Sequence, residues 1–137
     1  MALEATLVYE TEAPIPFTCS DSVAIPKGSI LELSDPMTVA ITNGDTDPVA
    51  GFAAEEKVAS DGKTTIGVYR RGIFKVFVGA AGATAGAAAI TDTATGAPNE
   101  LVNADVNSEN IVGRFLETAT DTQSALFELN PFTVNLA

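Results

Sequence analysis

Short apolar runs, each closed by a proline, glycine or aspartate turn, follow one another from residue 23 to residue 69. Val23-Ala24-Ile25 leads into the turn Pro26-Lys27-Gly28, and Ser29-Ile30-Leu31-Glu32-Leu33 leads into Ser34-Asp35-Pro36. Pro26 presets φ at about −65° and Gly28 takes positive φ at little steric cost, so the first of these turns has a mechanism. Period-two alternation resumes at Met37, Val39 and Ile41, and Asn43-Gly44-Asp45 is a hairpin signal. Residues 49–54 read as a further strand, and Ser60-Asp61-Gly62-Lys63 reads as a second hairpin turn leading into residues 64–69. Arg70-Arg71-Gly72 forms a third tight turn ahead of residues 73–78, the most strongly strand-forming stretch of the chain. Strands of about five residues separated by turns predict an antiparallel barrel or sandwich, without helical crossovers.

The flanking regions are patterned differently. Residues 1–17 alternate through Leu3, Thr6, Val8 and Glu10 and then meet Pro14-Ile15-Pro16, where two prolines forbid a helix and hold the chain extended. These residues are expected to form an extended N-terminal arm, either lying along another surface or fraying, with a β-rich body over 18–137. Residues 79–98 are rich in alanine, glycine and threonine. Glycines at 79, 82 and 86 each cost about 1 kcal/mol inside a helix, which argues against a long one. The stretch reads either as a surface loop with one short helical turn or as a smooth surface packed against a neighbouring subunit. Residues 99–110 read as an exposed loop, and two apolar stretches, 111–117 and 125–129, close the fold around a turn at Ala119-Thr120-Asp121-Thr122. The fold class is therefore all-β: a small antiparallel barrel or clip-like domain with at most one or two short helices.

Composition narrows the function. A chain of 137 residues with 46% hydrophobic and 18% charged residues can bury a core and is not disordered. With 7 basic against 18 acidic residues the net charge is −11, so neither nucleic acid nor an anionic membrane is an expected partner. Five of the basic residues, Lys57, Lys63, Arg70, Arg71 and Lys75, gather in one stretch, at a spacing that matches no phosphate-binding motif; a salt-bridged sheet face is expected there. Cys19 is the only cysteine, which rules out an intrachain disulfide, suits a reducing cytoplasm, and points to a small apolar packing role. The N-terminal residues lack a basic segment followed by a long apolar run, so the chain is expected to remain in its compartment of synthesis.

Candidate chemistry is sparse. The chain has no histidine and no tryptophan, so the commonest general base and zinc ligand and the best sugar-stacking ring are missing. Glu55-Glu56 is the one obvious carboxylate pair, but adjacent strand residues point to opposite faces and would not converge on one bond. Asp45-Thr46-Asp47 resembles the start of a calcium loop without the glycine and distant glutamate such a loop needs. The glycines of 79–86 lack the Lys-Ser/Thr of a phosphate loop. No catalytic residue, metal site or cofactor is expected.

Taken in order, VAIPKGSILELSDPMTV, GFAAEEKVASDGKTTIGVYRRGIFKV and VGRFLETATDTQSALFELNP resemble the head-decoration, or capsid cement, proteins of tailed bacteriophages, over roughly residues 20–131. The resemblance rests on the Ile-Pro-Lys-Gly turn, the Leu-x-Leu-x-Asp-Pro strand and turn, the Ala-Gly-Phe-Ala-x-Glu-Glu strand, the Asp-Gly-Lys hairpin and the Val-Gly-x-x-Leu-Glu-x-Ala pattern. Residues 80–110 depart from it. It implies a homotrimer that is made in the host cytoplasm and binds the outer surface of a virion, bridging neighbouring major capsid proteins. Within the arm, Leu3, Leu7, Tyr9, Ile15 and Phe17 are then the expected capsid-binding residues. The alternative is a carbohydrate- or ligand-binding β module using exposed aromatics such as Tyr9 or Tyr69.

Overall fold

A computed structural model describes residues 4–42, 48–92, 99–105, 108 and 110–133, and among these the chain forms eleven strands and no helix. They are β1 (Thr6–Tyr9), β2 (Ile15–Thr18), β3 (Ile30–Asp35), β4 (Thr38–Ile41), β5 (Val49–Ala53) and β6 (Thr65–Tyr69), followed by β7 (Gly72–Val78), β8 (Ala88–Thr91), β9 (Glu100–Asn103), β10 (Asn110–Phe115) and β11 (Ser124–Thr133). Strands β2–β6 close into a barrel in the order β2-β4-β3-β5-β6. Strands β7–β11 close into a second ring, sealed by β7 against β9. The all-β reading holds, but there are two barrels where the sequence suggested one.

The two barrels repeat each other strand for strand. Each is antiparallel except for one parallel seam, β2 with β4 and β7 with β9. Ile30 pairs with Phe52 and Leu31 with Gly51 in the first, as Ala88 pairs with Arg114 and Ala89 with Gly113 in the second. Phe52 then faces Tyr69, and Arg114 faces Glu128. An isolated bridge joins Ile25 to Lys57 in one barrel and Ala83 to Ala119 in the other. Glycine is retained at Gly51 and Gly113 because a Cβ there would lie 2.0 Å from the carbonyl oxygen of Tyr69 or Glu128. A carboxylate is retained too: Glu55 accepts the N–H of Gly67, and Glu117 accepts that of Leu126, at the start of the closing strand.

Each ring encloses a core, and a third apolar layer joins the rings. Phe17, Cys19, Leu31, Ile66 and Val68 are buried inside the first barrel. Ile30 and Phe52 point outward from the same strands and pack into the core of the second. The Phe52 ring meets Phe74 edge-on at 4.7 Å and stacks on Phe127 at 6.0 Å. Strand β5 is thus covered on both faces, which is why residues 50–53 are all buried and read as an unbroken apolar run.

Several expectations change accordingly. Of the segment 1–17, residues 4–17 are not an arm separate from the body: β1 pairs with β7 of the second barrel, and β2 is a wall of the first. The extended conformation imposed by Pro14 and Pro16 is present, but a ring uses it. Within 79–98, residues 88–91 are a barrel strand and no helical turn occurs among the described residues. Within 99–110, Leu101 and Val102 are buried on β9, so that segment is no exposed loop. Ser60-Asp61-Gly62-Lys63 tips a wide excursion rather than a hairpin, and Arg70-Arg71-Gly72 carries the chain from one barrel to the next. The turn at 43–45 and the acidic triplet at 45–47 lie outside the described residues.

Because Phe52 fills the joint between the barrels, Phe52→Ala is expected to lower unfolding free energy by about 3–5 kcal/mol. Urea unfolding followed by circular dichroism would measure it, and a loss of under about 1 kcal/mol would mean that the joint is not a packed core.

Candidate interaction surfaces

The five residues expected to contact a partner separate on folding. Phe17 is 6% exposed and belongs to the first barrel's core, where alternation along β2 turns it inward. Leu7 packs against the second core. Phe17 is not available at the surface, and Leu7 is only partly so. Tyr9 is 65% exposed and Ile15 40%, so both remain accessible, while Leu3 lies outside the described residues. Tyr69 is half-buried against Phe74, at 5.6 Å, and offers no free ring face of the kind a sugar would stack upon. Burial pushes its phenol above the ordinary value, and Glu10, which accepts its hydrogen bond, pushes the same way.

Strand β1 stands out by its pairing. Every other described strand is paired along both sides; β1 is hydrogen-bonded to β7 alone. It presents Val8 and Tyr9 to solvent next to Glu10, and a hollow of about 440 Å³ lies beside Glu4, Ala5, Thr6, Leu7 and Lys27. Its start is fixed where the Ala5 N–H donates to the Gly28 carbonyl at 3.0 Å. An unpaired edge of this kind is a template for a further strand.

A second concavity, of about 390 Å³, opens on the outer face of the second barrel, lined by Gly86, Ala88, Ile111, Gly113, Arg114, Glu128, Asn130 and Phe132. Phe132 is half-exposed there, and Arg114 and Glu128 face each other across β10 and β11. Sequence reading passed over these residues. The available signal was the match of VAGFAAE at 49–55 to IVGRFLE at 111–117, which reveals the repeat and marks Arg114 as the counterpart of Phe52.

The basic stretch does not form a patch. Lys57 is buried, its ammonium donating to the carbonyls of Asp21 at 2.9 Å and Val58 at 3.0 Å and to Asp61 Oδ1 at 3.2 Å, with Asp21 Oδ1 at 3.6 Å. Lys63 lies 3.8 Å from Glu55, and Arg70 donates to the Ala50 carbonyl. The two glutamates serve different partners: Glu55 takes the Gly67 N–H and Lys63, whereas Glu56 accepts the N–H of Lys27 at 3.3 Å. No group of three or more potential metal ligands occurs among the described residues, and no helix there is long and apolar enough to cross a membrane. Cys19 is buried, and burial pushes its thiol up despite the nearby Lys57. Neither the family models nor the curated proteins contain a match to this chain.

Two outcomes follow from the Lys57 clamp. The Asp61 carboxyl is held below its usual range, first by the N–H of Lys63 and further by Lys57. A depressed carboxylate contributes stability that is present above the unfolded value, about pH 4, and is lost as pH falls through the folded value. Urea midpoints are therefore expected to drop on acidification below about pH 4, and less steeply in Asp61→Asn. In the native protein Cys19 should react with a thiol reagent at neutral pH only as fast as the chain opens, so prompt stoichiometric labelling would contradict its placement.

Proposed function

We propose that this chain is a structural virion protein that binds the outer surface of an expanded capsid and ties neighbouring capsid subunits together. The observation that carries the reading is the single open strand edge, β1, on a body whose remaining described strands are closed into rings. A rigid body with one edge free can add a strand from a neighbour, gaining backbone hydrogen bonds over few residues. The resemblance of residues 20–131 to decoration proteins supports the same reading and adds the expectation of a homotrimer. Three edges carried on one particle would bind multivalently, raising avidity about 10²–10⁴-fold over one. The net charge of −11, with Lys57 buried in ion pairs and Lys63 paired with Glu55, favours a protein surface over nucleic acid.

Light scattering of the purified protein is expected to give the mass of three chains. Mixed with undecorated shells of the major capsid protein encoded in the same genome, it should saturate expanded shells and not their precursors. Val8→Ser with Tyr9→Ser, both at exposed positions, should leave the fold within about 0.5 kcal/mol of wild type. The double variant should nevertheless lose at least tenfold in shell affinity. Failure of the wild-type protein to bind expanded shells would sink the reading.

A further inference from the structure

The second barrel carries a copy of a site that is filled in the first and that no described residue fills here. The turn at 84–87 repeats the turn at 26–29: Ala87 N–H donates to the Thr84 carbonyl as Ser29 N–H donates to that of Pro26, and Gly86 and Gly28 share a φ of 88°. At Gly28 an extended segment crosses the turn so closely that a Cβ would lie 2.3 Å from the Ala5 carbonyl oxygen. At Gly86 no described atom lies within 4 Å of the same point. The adjoining face differs in the same sense. Ile30, Phe52 and Tyr69 pack against the second barrel, while their counterparts Ala88, Arg114 and Glu128 line the 390 Å³ hollow. The side chains of Arg114, Glu128 and Asn130 make no hydrogen bond or ion pair among the described residues.

Two occupants suit the first barrel's face, a second barrel and an extended segment, and the residues at the hollow discriminate between them. A third barrel seated there would meet no Phe, Tyr or Ile and would strip water from Arg114 and Glu128. An extended segment leaves those charges at the rim and donates its backbone N–H to the Gly86 carbonyl, as Ala5 does to Gly28. Residues 4–9 of each copy are already engaged at Gly28 and on β7, so that segment does not fill the hollow of its own or a second copy.

We propose that the hollow on the second barrel receives an extended segment of the capsid subunit, laid across Gly86 as residues 4–7 lie across Gly28. The proposal rests on the shell-binding reading above. The segment has a small residue at the crossing, an acidic side chain for Arg114 and a basic or amide side chain for Glu128, and its apolar side chain lies against Phe132.

The test uses the full chain and undecorated expanded shells. Ala88→Phe, which fills the hollow, and Arg114→Glu, at an exposed position, are each expected to weaken shell binding at least tenfold while the thermal midpoint stays near wild type. With p-benzoyl-phenylalanine at position 132, irradiation of decorated shells should yield a cross-link to one extended segment of the capsid subunit, read by mass spectrometry. Wild-type affinity in both folded variants would overturn the proposal while leaving the shell-binding reading standing. Cross-links confined to a second copy of this chain, or protection of position 132 by glycans, would overturn it as well. Absence of shell binding by the wild-type protein would remove both.

Discussion

Phe52 is the side chain on which the arrangement of the molecule depends. It lies on β5 of the first barrel, points away from that barrel's interior, and is buried because the second barrel supplies Phe74 and Phe127 to receive it. An exposed phenylalanine, with Ile30 beside it, would leave an apolar patch on an isolated barrel. The chain removes that patch by repeating the barrel and docking the copy against it. The N-terminal segment completes the cover: Ala5 and Leu7 pack on the same cluster, Ala5 bonds to Gly28 in one barrel and Leu7 sits on β7 of the other. This strap accounts for the open edge of β1, since the strand lies outside both rings and closes neither.

The turns were legible because their causes are local. Pro26 and Gly28 supply their own turn, and the strand after it forms where the alternation places it, while Val23-Ala24-Ile25 ahead of it makes only the isolated bridge from Ile25 to Lys57. Ring closure was not legible, because the seams at Thr18 with Thr38 and at Phe77 with Glu100 join residues whose pairing leaves no short-range trace. The alanine-rich stretch misled for a different reason. Ile25, Leu31 and Ile66 of the first core become Ala83, Ala89 and Ala125 in the second, while Ala53 and Val68 become Phe115 and Phe127. Volume lost at three positions is returned at two, as close packing requires. Read alone, the alanines suggest a loop or a helix; set against two phenylalanines, they are the small half of a barrel core.

What the two barrels share, and where they part, separates folding constraints from surface ones. Gly51 with Gly113 and Glu55 with Glu117 are identical because a close backbone contact or a hydrogen bond calls for them, and Gly28 with Gly86 because both turns hold φ at 88°. Lys57 and Ala119 differ in that the first barrel's longer loop before Ile25 lays the Asp21 carbonyl over the ammonium, which also donates to the carbonyl of Val58. Phe52 and Arg114 differ because one face is covered and the other open. Of the residues expected at an interface from sequence, Tyr9 and Ile15 stayed at the surface. Phe17 was drawn into the first core and Leu7 packs, half-buried, against the second, because the alternation along β2 and β1 turns them inward.

The acidic balance sets the range over which contacts can act. Lys57 is buried in ion pairs, Lys63 pairs with Glu55 at the surface and Arg70 donates to the Ala50 carbonyl, so fewer basic groups remain to offset the acidic ones at the surface. Copies carrying −11 each repel one another when placed side by side, although ionic strength near 0.15 M screens that repulsion beyond about 8 Å. If many copies sit on one surface, as proposed above, the attraction that holds them must be short in range: backbone hydrogen bonds at a strand edge, an apolar side chain in a hollow, a guanidinium that meets a carboxylate. Those are the features that β1 and the face around Arg114 present, and the rest of the exterior keeps neighbouring copies from sticking at random.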